Sequence, residues 1–337
     1  FIGEIMTYDE QIQRLISDGI IINDISFATN KLIREGYFNL ISGYSFIFKD
    51  KNGIILKNTS FEDILCVYEF DKNLKNIIYE YASTAEKNIK ARLGYVFGTL
   101  YGDDETLYLN ENNFNTIPAN ENYIRSIIYT IKDVINDALD IKSKRYRQYI
   151  EYSKTKYGLI PFWILVRTLT FGTISKFYSL MKKSDRTEIA KSFGMDEANF
   201  GLMMEMLVFF RNTVAHGERI FNAKVPTKRL SSHLTIYKSM QIKTTVFNEP
   251  LSGKCDFLAL LIILKYLLEK SEFTNLMRSL LPLLSDIDNC LPFNISKRIK
   301  KEMGLISGDW KNLHNLKLIP ICETSISIDN YHNHISN

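Results

Sequence analysis

SFEDILCVYEFDKNLKNIIYEYASTAEKNIKARL, from Ser60 to Leu93, decides the fold. A pattern of apolar side chains runs along it through Ile64, Leu65, Tyr68, Leu74, Ile77, Ile78, Tyr81, Ala85, Ile89 and Leu93. They recur mostly every three or four residues, the spacing of one face of an α-helix. The stretch predicts an amphipathic helix of unusual length, or two joined end to end.

Upstream, Thr7 and Glu10 have the T-x-x-E form of a capping box, and Gly19 marks a stop. Asp24 can cap a second helix that ends at Gly36. GYFNLISGYSFIFKDKNGIIL, residues 36–56, is aromatic and β-branched with three glycines, and reads as short strands, turns or irregular chain. Downstream, 102–122 is polar and turn-rich, and 123–152 reads as helix again. Pro161 opens a helix through Ser179, a short helix covers 185–193, and Asp196 caps one running to about His216 with Gly217 as its stop. Residues 222–256 read as a long connection with a small β-hairpin admitted in LTIYKSMQIKTTVF, 234–247. Further helices are expected at 256–270, 273–284 and 296–303, followed by a polar tail after Pro320. The fold class is therefore mainly all-α. The organisation expected is an N-terminal helical and irregular region at 1–58, a helical domain at 59–285 interrupted by the 222–256 connection, and C-terminal helices with a tail at 286–337.

The 337 residues carry 42 Lys and Arg against 38 Asp and Glu, a net charge of +4. That mild excess permits a nucleic-acid partner without demanding one. Cys66, Cys255, Cys290 and Cys322 are dispersed, which excludes a C-x-x-C zinc half-site and reads as reduced thiols. The longest apolar run, Phe257 to Leu264, is too short for a bilayer, and no signal peptide is visible in FIGEIMTYDE. A cytoplasmic protein with no membrane partner, metal or cofactor is expected. Phosphate-binding glycine loops, G-x-S-x-G and H-E-x-x-H are absent from the sequence.

Five histidines remain: His216, His233, His314, His332 and His334. Only His216 closes a motif, Arg211-Asn212-Thr213-Val214-Ala215-His216, at the end of an apolar helix. The pair suits RNA cleavage. Histidine titrates near neutrality and can take a 2′-hydroxyl proton or give one to a 5′-oxygen. Arginine holds phosphate with a rigid fork and stabilises developing negative charge. Asn212 lies one turn from His216 on the same face and could orient the imidazole. Arg211 is about 140° around the helix from His216, so it must reach across the helix end. One motif supplies one histidine, so a two-histidine reaction calls for a second copy across a two-fold axis. The plain alternative is two polar residues near a helix C-terminus, where cations are favoured.

Four stretches bear a wider likeness. They are TYDEQIQRLISDGIIINDISFATNKLIREGYFNLISGYSFIF; YEFDKNLKNIIYEYASTAEKNIKARLGYVF, with Asp71, Glu86 and Arg92; PFWILVRTLTFGTISKFYSLM; and RNTVAHGERIFN. Together they resemble the bacterial Abi-D/Abi-F abortive-infection proteins of the HEPN ribonuclease superfamily. The last stretch, R-N-x-x-A-H-x-x-R-hydrophobic-x-N, is the most specific. The resemblance implies a HEPN-type helical bundle and a metal-independent, toxin-like endoribonuclease of an anti-phage system. It also implies a homodimer that joins two motifs, and a link to a structured noncoding RNA. Arg211, Asn212 and His216 carry over as the catalytic motif, with Arg219, Asn222 and Glu86 in support. For Glu86 a plain helix-surface carboxylate remains open. The rival to cleavage is a HEPN dimer that holds a structured RNA without cutting it. Either could use Lys142, Lys144, Arg145, Arg147, Lys154 and Lys156, interleaved with tyrosines, and Lys297, Arg298, Lys300 and Lys301. Both basic runs could equally be solvated helix faces.

Overall fold

The computed structural model describes residues 6–305 and 308–318. The expected tail after Pro320, with Cys322, His332 and His334, lies outside the described residues. The fold is all-α, and its helices are α1 Tyr8–Ser17, α2 Ile25–Glu35, α3 Phe61–Tyr101, α4 Glu105–Tyr108, α5 Glu121–Leu139, α6 Gln148–Tyr157 and α7 Phe162–Leu165. The chain continues with α8 Phe171–Leu180, α9 Lys183–Lys191, α10 Glu197–Ala215, α11 Thr235–Ser239, α12 Phe257–Leu267, α13 Lys270–Cys290 and α14 Phe293–Glu302.

Local chemistry starts the main helices. Thr7 and Glu10 form the expected capping box on α1, Asp24 accepts from Phe27 N–H, and Asp196 accepts from Ala198 and Asn199 N–H. Ser60 and Asp63 cap α3 reciprocally. This helix is one unbroken element of 41 residues, about 60 Å long at 1.5 Å per residue. Ile64, Leu74, Ile78, Ala82, Ala85, Ile89, Leu93 and Phe97 on it are buried. It forms the spine against which α7, α9, α10, α12 and α13 pack. At Gly94 an added Cβ would lie 3.0 Å from the Trp163 backbone, so a side chain there would press on the α3–α7 crossing. Every residue of α12, Lys265 included, is buried, and α12 touches α3, α10 and α13. The Lys265 ammonium reaches the His314 carbonyl at 3.2 Å, and burial lowers its pKa.

Several expectations are corrected. The helix read across 123–152 is broken between α5 and α6, where Asp140 accepts from Lys142 N–H and Ser143 from Arg145 N–H. Such side-chain turns compete with helix. The helix read from Pro161 to Ser179 is also two elements, because Thr170 caps α8. Region 36–56 holds a π-helix at Phe38–Ser42, a 3-10 turn at Ser45–Phe48 and an isolated antiparallel bridge between Lys49 and Ile55. The 234–247 hairpin does not form as read. Its first half is α11, and a single Thr244–Pro250 bridge closes a turn further on. The boundary at 285/286 falls inside α13, which runs through Pro282 to Cys290. Cys66 and Cys290, read as separate thiols, are joined as a disulfide with Cα atoms 6.8 Å apart, whereas Cys255 is free.

Candidate functional site

The motif sits at the C-terminal end of α10. Phe200, Met203, Met206, Leu207, Phe210 and Val214 are buried and fix its orientation. His216 caps the helix, its N–H donating to the Asn212 carbonyl at 2.9 Å. Gly217 follows at φ +75°, the left-handed conformation that ends many helices. The His216 side chain is exposed and makes no hydrogen bond or ion pair among the described residues. The Asn212 side chain makes none to the imidazole; it is the Asn212 carbonyl that meets the His216 backbone.

Arg211 is held differently. Its Nε donates to Glu86 Oε2 at 3.0 Å, from a side chain 28% exposed to one 10% exposed. The other Glu86 oxygen pairs with Lys90 Nζ at 2.7 Å, and Lys90 also donates to the Leu169 carbonyl at 2.6 Å. Glu86 is therefore a buried carboxylate shared by two cations, and not a surface side chain. Using Nε for Glu86 leaves the two Nη groups of Arg211 without a protein acceptor among the described residues. That is the end of the guanidinium that grips phosphate.

A second anchor holds the chain four and five residues beyond His216. Asp71 is fully buried on α3 and accepts from Ile220 N–H at 3.1 Å, Phe221 N–H at 3.0 Å and the Tyr44 hydroxyl at 2.8 Å. Burial raises its pKa, against those bonds and nearby Lys75. Lys75 sits 3.7 Å from Asp71 and donates to the Gly217 carbonyl at 3.0 Å, closing the helix end. Arg219 donates to the Gly43 carbonyl, and its guanidinium lies 4.7 Å from the Phe46 ring centroid. Phe46 stacks on Phe221 with centroids 6.1 Å apart. Arg92 donates to the Ser192 carbonyl and covers Phe193 at the start of the α9–α10 turn, away from the motif. Asn222 is half-buried beside Phe221.

The structure thus brings Arg211, Asn212, His216, Arg219 and Glu86 into one neighbourhood. The two basic runs are more dispersed. Lys142, Lys144, Arg145 and Arg147 occupy the exposed break between α5 and α6. Arg145 pairs with Asp137 at 3.2 Å, and Lys154 is drawn to Glu105 at 2.7 Å. Lys156 lies 5.1 Å and 5.3 Å from the Tyr152 and Tyr157 rings. In the second run, Arg298 donates to the Ile47 and Lys49 carbonyls and Lys300 pairs with Asp288, so both brace the fold. Lys297 and Lys301 remain exposed. Sequence reasoning gave no role to Lys75 or Lys90. The signal was present, because Asp71–Lys75 and Glu86–Lys90 are both i,i+4 pairs with the acid first, the favoured order.

Among the described residues no three His, Cys, Asp or Glu side chains gather as a metal site, and no helix is long and apolar enough to cross a membrane. No curated protein and no solved structure gives a significant match to the chain. The profile of a family described as Abi-like protein matches residues 30–222, which contain the Tyr44, Asp71, Glu86 and Arg211–Asn222 network. That span is more than half of the chain. The chain belongs to the Abi-like protein family.

Proposed function

We propose that this Abi-like protein is a toxin-like endoribonuclease of an abortive-infection system, working through a HEPN-type R-x-x-x-x-H site. The family description supports the abortive-infection setting. The observation that carries the chemistry is the Arg211–Glu86 pair with His216 exposed at the helix end. A fixed guanidinium whose outer nitrogens are open can hold the scissile phosphate and stabilise the phosphorane. His216, unencumbered by protein partners, exchanges the proton. A second protomer supplies the second histidine, so the working form is a homodimer about a two-fold axis near α10. The reaction needs no metal or cofactor and takes place in the cytoplasm. A structured noncoding RNA controls access to the site.

The test is cleavage of total RNA by purified wild type and His216→Ala protein, with the mass of each in solution measured by light scattering. The wild type should cleave as a dimer. His216→Ala should remain a dimer and lose on the order of 10²–10⁴-fold in rate, the usual worth of a positioned acid or base. Undiminished cleavage by the variant, or full activity in a monomer, would contradict the proposal. The second reading, a dimer that holds RNA without cutting it, rests on the exposed cations and tyrosines of 142–157. It would be favoured by RNA that copurifies intact with wild type.

A further inference from the structure

A cavity of about 580 Å³ opens beside the N-terminal helices, and neither Arg211 nor His216 is on its lining. Its walls come from α1, the π-helix Phe38–Ser42, the 3-10 turn Ser45–Phe48 and the bend at 53–55. The volume lies within the range of small-molecule sites, about 300–1,000 Å³. π-Helical turns also occur frequently at functional sites.

Two cations, Arg14 and Lys49, line this cavity, and neither is in an ion pair among the described residues. Among the described residues the Arg14 guanidinium makes one hydrogen bond, to the Met6 sulfur at 4.0 Å. Lys49 uses its backbone for the Phe46 turn and for Arg298, while its ammonium has no hydrogen bond or ion pair among the described residues. Asp18 is the only carboxylate on the lining, and it makes no ion pair within 4.0 Å of Arg14 among the described residues. Tyr37, Phe46 and Ile54 add flat and apolar surface. Burial raises the Tyr37 pKa, and the nearby charge of Arg14 opposes this. Phe46 is packed between Phe221 and Arg219, so this wall adjoins the chain leaving the motif.

Unpaired cations, one carboxylate and aromatic surface in a single cavity match the three parts of a nucleotide. The phosphate would meet Arg14 and Lys49, the ribose hydroxyls would donate to Asp18, and the base would lie against Tyr37 and Ile54. We infer that this cavity, which Arg211 and His216 do not line, is a nucleoside-phosphate site that takes either a free mononucleotide or the 5′-phosphorylated end of an RNA. The inference does not depend on cleavage, since it concerns binding alone.

Isothermal titration of the full chain tests it, using adenosine and uridine 5′-monophosphate, inorganic phosphate, and an RNA octamer with and without a 5′-phosphate. Arg14→Glu and Lys49→Glu should each weaken nucleotide binding at least about tenfold. Arg14→Gln and Lys49→Gln should weaken it less, and exposed Lys57→Glu should leave it unchanged. Helicity and Tm confirm that each variant folds. His216→Ala should bind as wild type does, which separates this site from the cleavage reading. Tighter binding of the 5′-phosphorylated octamer than of the mononucleotides assigns the site to an RNA end, and the reverse assigns it to a free nucleotide. The inference is overturned if neither is bound at millimolar concentration, if inorganic phosphate binds as tightly as the nucleotides, or if the four charge variants bind like wild type.

Discussion

Two regions of this molecule carry the charges that its chemistry would use, and they are built in opposite ways. Around 211–222 the charges are embedded. Asp71, Lys75 and Glu86 project from one continuous helix and hold Ile220, Phe221, Gly217 and Arg211, with Lys90 of the same helix paired to Glu86. Around 140–157 the charges are loose. The chain breaks between two helices, its cations are exposed, and its ion pairs lie at the surface. Exposed pairs contribute little and are screened by salt, whereas removing one partner of a buried pair strands the other. The first region suits a reaction that needs fixed positions. The second suits a polyanion that needs only density of charge.

The largest effect should come from Asp71→Ala. It strands two backbone N–H groups and the Tyr44 hydroxyl in a fully buried place. We expect a loss of about 2–4 kcal/mol of stability in urea unfolding, and loss of any RNA cleavage. Asp71→Asn keeps an acceptor for the N–H groups and should restore much of both. If Asp71→Ala unfolds like wild type, the embedded anchor is not what fixes the motif.

Glu86→Gln should come next. It removes the charge between Arg211 and Lys90 while keeping the shape. The two cations then repel, Arg211 swings, and cleavage should fall roughly 10–100-fold, as expected for misplacement of about 1 Å. KM should change less than kcat. Unaltered kcat would mean that Arg211 finds its position without Glu86.

The smallest effect belongs to the loose region. Lys144→Ala combined with Arg145→Ala and Arg147→Ala should leave stability and the dimer unchanged. It should weaken RNA binding a few-fold and flatten the log–log salt slope, from roughly −4 if about six phosphates of a single strand are neutralised. Wild-type affinity and slope in the triple variant would reduce this segment to a solvated face and close the comparison.

The sequence disclosed those parts of the fold that rest on local chemistry. Thr7, Asp24, Ser60 and Asp196 start helices because a side chain meets a backbone N–H two or three residues away, a relation visible in one dimension. The break at 140–147 was encoded in the same way by Asp140 and Ser143, but strong periodicity on both sides masked it. Contacts made across the chain were not legible. Nothing near Cys66 in sequence points to Cys290, and Arg298 gives no sign that it reaches Ile47 and Lys49. At the site, Arg211 and His216 stood out by motif. That Glu86 is buried between Arg211 and Lys90 needed the helices packed.

The most direct test of the account is the chemistry of the ends that the protein leaves on RNA in the presence of EDTA. Attack by an internal 2′-hydroxyl, with His216 moving the proton and Arg211 holding the phosphate, leaves a 2′,3′-cyclic phosphate and a 5′-hydroxyl. The account predicts those ends, formed at the same rate with and without EDTA. Cleavage abolished by EDTA and restored by magnesium, or products ending in a 3′-hydroxyl and a 5′-phosphate, would contradict it.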